Sequence, residues 1–106
     1  MSNIRFNYRY RDYANYKKYG SVVFSNPNHL ASREIEALIR KQLLNDFQFR
    51  HDEWGLPDLH FEKADWEDDH PYHEFVSVKE VNDEVDQTET IDTFLAKVKQ
   101  AKKRLF

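Results

Sequence analysis

Imidazoles and carboxylates crowd residues 68–74, Asp68-Asp69-His70-Pro71-Tyr72-His73-Glu74. These are ligand types that zinc, manganese and iron take from proteins. A divalent-metal site here would use His70, His73 and Asp69, with Asp68 or Glu74 as alternative carboxylates and His60 as a further ligand. A metal-binding protein or metal-dependent enzyme would follow. Local geometry opposes it in part. Residues three apart on a strand point to opposite faces, and Pro71 disfavours the helical conformation at His70. The two histidines could then share one ion only across a turn, and the HExxH pattern of metalloproteases is absent. The plainer alternative is a loop whose imidazoles bond carboxylates or backbone. Nearby carboxylates favour imidazolium, which would make such a loop pH-responsive.

A second segment interleaves cations with aromatics: Arg9, Arg11, Tyr13, Tyr16, Lys17 and Lys18. Single-stranded nucleic-acid surfaces use this mixture, with rings stacking on bases and cations holding phosphates. Against it, Tyr8 and Tyr10 fall on the expected core face, and net negative charge opposes phosphate binding. Nucleic acid is therefore not the favoured partner.

The third segment is Trp54-Gly55-Leu56-Pro57-Asp58-Leu59. Trp54 and Pro57 could offer an apolar surface, since Trp is enriched in binding hot spots. The alternative is a turn whose Trp and Leu cover the core. Serines 21, 25, 32 and 77 lie in no nucleophile-elbow context.

Charge is unevenly spread along the 106 residues, whose formal net charge is −3. Residues 1–52 hold nine basic and five acidic side chains, residues 53–92 two and fourteen, and residues 93–106 five and none. A block at −12 is a strong field source. It is either a solvated acidic face or a surface for a basic protein. In the second case Trp54, Trp66, Tyr72, Asp68 and Glu74 are the expected contact residues.

These segments need elements to hold them. Ile4, Phe6, Tyr8 and Tyr10 alternate with Arg5, Asn7, Arg9 and Arg11, the period of a half-buried strand ending near Asp12. Residues 13–20 form a connection. Tyr13, Tyr16 and Tyr19, spaced by three, suit one helical turn ended by Gly20 at positive φ. Residues 21–25 read as a second strand and residues 26–28 as a turn. Ser32 is the expected N-cap of a helix reaching about Leu44, with Ile35, Leu38, Ile39 and Leu43 on its apolar face. Phe47, Phe49 and His51 suggest a third strand. Residues 55–58 read as a turn, 59–61 as a short strand and 62–74 as an exposed acidic loop. Residues 75–79, apolar on both faces, read as a central strand. Thr90 is expected to cap a last helix carrying Ile91, Phe94, Leu95, Val98 and Leu105. Lys99, Lys102, Lys103 and Arg104 sit near its negative end.

The order predicts an α+β fold in a single domain, residues 1–106. The expected form is a two-layer sandwich, with an antiparallel or mixed sheet of about four or five strands and two helices on one face. Sixteen aromatics suffice to anchor one core. Without cysteine, disulfides, thiolate metal sites and thiol catalysis are excluded, and two glycines cannot build a phosphate-binding loop. No apolar run is long enough for a membrane span, and the N-terminus lacks a signal-peptide core, so a cytoplasmic setting is expected.

Residues 8–24 (YRYRDYANYKKYGSVVF), 55–61 (GLPDLHF) and 68–75 (DDHPYHEF) resemble a family of small uncharacterised bacterial proteins. The resemblance implies a bacterial cytosolic setting and carries no activity, ligand or fold. The leading expectation is a small non-enzymatic interaction module that needs no cofactor and whose acidic region meets a basic protein. A metal-binding protein and a single-strand nucleic-acid binder are the alternatives.

Overall fold

The computed structural model describes residues 2–12, 14–59 and 72–101. In chain order the elements are β1 (Asn3–Arg11), β2 (Lys17–Phe24), α1 (Ser32–Arg40), β3 (Gln48–Arg50), α2 (His51–Trp54), β4 (Tyr72–Val81) and α3 (Ile91–Gln100). The fold is α+β. Among the described residues the sheet has four strands in the order β2-β1-β4-β3, and every strand pairing is antiparallel.

The alternation of β1 is that of its sequence: Ile4, Phe6, Tyr8 and Tyr10 are buried, and Arg5, Asn7, Arg9 and Arg11 lie on the other face. Phe6 is the hub of the core. Its ring lies 5.4–5.9 Å from those of Tyr8, Phe49, Phe75 and Phe94. Phe49 stacks on Trp54 at 4.4 Å and Phe24 on Phe94 at 4.6 Å. Ile35 and Ile39 of α1 and Phe94, Leu95 and Val98 of α3 join the same cluster. Thr90 Oγ1 accepts from the Thr93 amide at 3.2 Å, the expected cap of α3. Leu105, Lys102, Lys103 and Arg104 lie outside the described residues.

Several boundaries differ from expectation. The second strand starts at Lys17, not Ser21, because Lys17 to Gly20 pair with Arg11 to Tyr8. Ladder hydrogen bonds outweigh the weak strand propensity of Lys and Gly. Gly20 is thus a strand residue, and a Cβ there would meet Leu59 Cδ2 at 2.7 Å. The reversal before β2 is held by Asp12, whose Oδ1 accepts from the Tyr16 amide at 2.9 Å. Ser32 is the first residue of α1 and Ala31 its N-cap, without a side-chain cap. The helix stops at Arg40, not Leu44. Asn45 and Asp46, both at positive φ, then turn the chain so that Leu44 and Gln48 exchange backbone hydrogen bonds. Asn and Asp tolerate this conformation better than other non-glycine residues. His51 leaves the strand and opens α2, which Gly55 ends at φ 69°.

The largest difference is in β4. It begins at Tyr72, so Tyr72, His73 and Glu74 are strand residues and not part of a loop. Its register with β1 shifts between Asn7 and Tyr8, which pair with Ser77 and Phe75. The irregularity leaves Val76 between them and lets Phe75 and Val78 both enter the core. That explains why the sequence there is apolar at adjacent positions. Leu59 is not in a strand, and the remainder of the expected 59–61 strand lies outside the described residues.

Candidate functional site

Register places the polar face of the sheet residue by residue. Arg5, Arg9 and Arg11 of β1, Lys17 of β2, Lys79 of β4 and Arg50 of β3 share it with Asn7, Tyr19, Ser21, Ser77, Tyr72, Gln48 and one carboxylate, Glu74. Near the β1–β2 turn this face sinks into an open cleft of about 590 Å³. The hairpin supplies Arg9, Arg11, Asp12 and Asn15, the 44–48 turn and β3 supply Phe47 and Gln48, and β4 supplies Glu74 and Phe75.

Glu74 organises the cleft. Its residue is only 4% exposed. Arg9 Nε donates to Oε1 at 2.6 Å, Arg11 Nη2 donates to the same oxygen at 3.2 Å, and Arg11 Nε lies 3.1 Å from Oε2. A buried carboxylate needs such partners, since leaving it alone would cost several kcal/mol. Asn15 Oδ1 accepts from Arg11 Nη1 at 3.0 Å. Tyr19 steadies Arg9 twice. Its hydroxyl accepts from Nη1 at 3.4 Å, and its ring lies 5.9 Å from the guanidinium carbon. Burial lowers the pKa of Arg9, but the Glu74 and Tyr19 contacts outweigh this and raise it overall, so the group is permanently charged. Of the five guanidinium N–H groups of Arg9, two are thus occupied, and three have no protein acceptor among the described residues.

The histidine segment is divided. His60, Asp68, Asp69 and His70 lie outside the described residues, as do Trp66 and Tyr13. His73 is fully buried on the core face of β4, with its ring 5.3 Å from Tyr10 and 4.7 Å from His51. Its Nε2 accepts from the Leu59 amide at 3.0 Å, which occupies that lone pair. The Asp58 carboxylate lies 3.5 Å from the same nitrogen. His51 Nδ1 donates to the Leu56 carbonyl at 2.9 Å, and the Tyr8 hydroxyl donates to the Pro57 carbonyl at 2.8 Å. Burial, then the charges of Asp58 and Asp86, push the Tyr8 hydroxyl well above its ordinary pKa. Together these bonds strap residues 56–59 onto the sheet. Among the described residues no group of three His, Asp or Glu side chains is arranged to hold a metal ion.

Two expected contact residues are elsewhere. Trp54 is 2% exposed and stacked in the core, because α2 turns it against Phe49. Glu74 is bound by two arginines instead of facing solvent. Tyr72 is half-buried. Arg9, Arg11 and Lys17 share the polar face, while Lys18 pairs with Tyr10 and falls on the opposite side. Tyr16 is 69% exposed in the turn. Phe47 and Gln48 are further cleft residues that the sequence reading missed, while Tyr19, the end of the expected 9–19 segment, sits against Arg9 beside the cleft.

The acidic block also has internal partners. Asp83 pairs with Arg5, Glu53 with Arg50 (which Asp52, just before the block, also meets), and Glu89 with Lys97, while Asp86 Oδ1 accepts from the Val23 amide. Several carboxylates of the described acidic region are thus paired with the chain's own basic residues. No helix among the described residues is long and apolar enough to cross a membrane. No protein-family model, curated protein or solved structure matches the chain.

Proposed function

We propose that the protein is a small non-enzymatic interaction module that recognises an anionic group at the Arg9 cleft. In this reading the body is a two-layer sandwich, with α1 and α3 on one face of the sheet and the other face left for recognition. The setting is the bacterial cytosol suggested by the resemblance of residues 8–24, 55–61 and 68–75. The supporting observation is Arg9: fixed by Glu74 and Tyr19, half-buried, charged, and with three N–H donors that have no acceptor among the described residues, beside an open cleft. A guanidinium held in place loses little freedom on binding, and its planar donors fit a carboxylate or phosphate in two-point contact. Phe47 supplies apolar wall for whatever carries the anion.

Nuclear magnetic resonance titration with inorganic phosphate and with acetate tests this. Saturable shifts are expected at the Arg9 side-chain Nε–H and at the Phe47 and Gln48 amides, and R9Q should remove them while leaving the remaining spectrum folded. Shifts of equal size in R9Q, or none localised to the cleft, would overturn the reading.

A further inference from the structure

We infer that the anionic partner is single-stranded nucleic acid, lying across the polar face of the sheet. This inference rests on the anion-recognising reading of the cleft and adds to it the rings around the cleft. Tyr19 is 61% exposed and sits against Arg9, Tyr16 is exposed in the adjoining turn, and Phe47 is 43% exposed on the cleft wall. Burying such rings in the core would be favourable, yet these three are exposed, and Tyr19 lies against the Arg9 guanidinium. An acidic peptide would satisfy Arg9 and leave these rings idle. A single strand uses both: phosphates meet the cations, and unpaired bases stack on the rings without regard to sequence.

The cations match this geometry. Lys17 lies directly across from Arg11, and Lys79 directly across from Arg5. Neither lysine has an ion pair among the described residues, whereas Arg5 and Arg50 are matched by Asp83 and by Asp52 with Glu53. Among the described residues of this face, Arg9, Lys17 and Lys79 therefore have donors left for phosphate. Three phosphate contacts to a single strand predict that log Kobs falls with log salt at a slope of roughly −2. The net charge of −3 keeps overall attraction weak, so binding belongs to low ionic strength.

The test is fluorescence anisotropy with the full chain, using a labelled oligothymidine strand, an abasic strand of the same length and a polyglutamate peptide. The oligothymidine strand should bind at about 50 mM salt with the slope above. The abasic strand and the peptide should bind at least tenfold more weakly. Tyr19→Ala and Tyr16→Ala are exposed-site changes that leave the core intact. Each should weaken oligothymidine binding by roughly five- to a hundredfold, the range of one lost stacking contact. Equal binding of the abasic strand or of polyglutamate, with phosphate still shifting the Arg9 signal, would overturn the nucleic-acid inference and leave the anion site standing. Loss of the phosphate response as well would remove both.

Discussion

One face of the sheet gathers Phe6, Tyr8, Phe49 and Phe75 into a ring cluster that side chains of α1, α2 and α3 join. The opposite face, on alternate residues of the same strands, carries Arg9, Arg11 and Lys17 around the buried carboxylate of Glu74. The first is held by non-directional burial, in which many rings share the load. The second is held by a few directional bonds, in which one carboxylate fixes two guanidinium groups. A surface built that way can present charged donors in set positions, which a hydrophobic face cannot.

The sharpest break in this comparison is Phe6→Ala, which removes the hub of the aromatic cluster. It should cost about 3–5 kcal/mol in denaturant unfolding, with the cleft residues untouched in sequence. A loss under ~1 kcal/mol would mean the rings do not depend on one another as described.

Glu74→Gln probes the other face. The amide keeps the shape but removes the charge that both arginines share, so a smaller loss of about 1–3 kcal/mol is expected. The Arg9 and Arg11 side-chain signals should broaden or move, while the aromatic core signals stay in place. Core shifts as large as those of Phe6→Ala would show that the two faces are not separable.

The smallest effect concerns Arg50 and Asp52, which are 3.2 Å apart near the surface. Burial raises the Asp52 pKa, but the hydrogen bond and charge of Arg50 outweigh it and hold the group below its ordinary 3.8. A carboxylate with a depressed folded pKa adds stability above its unfolded pKa, and that stability is lost as pH falls through the lower folded value. The wild type should therefore exceed Asp52→Asn slightly at neutral pH, and the difference should close only below about pH 4. A gap that persists in stronger acid would mean Asp52 acts other than through Arg50.

The residue alternation of β1 made its two faces legible, because a half-buried strand must repeat every two residues. Thr90 and the apolar spacing of α3 were equally plain, since cap and helix are local. The cleft was not. Arg9 and Glu74 are 65 positions apart, and their pairing depends on β4 lying beside β1 in one register. Glu74 looked like part of a solvated acidic run, and His73 like a loop imidazole. Only strand pairing gave one to the arginines and the other to the core.

The chain's local periodicity and turn residues determined that it would form strands and helices with distinct apolar faces, since side-chain direction follows from backbone geometry alone. Tertiary structure decided which opposite charges met. A carboxylate distant in sequence can neutralise an arginine only once the sheet order and the irregularity in β4 bring them within hydrogen-bonding distance.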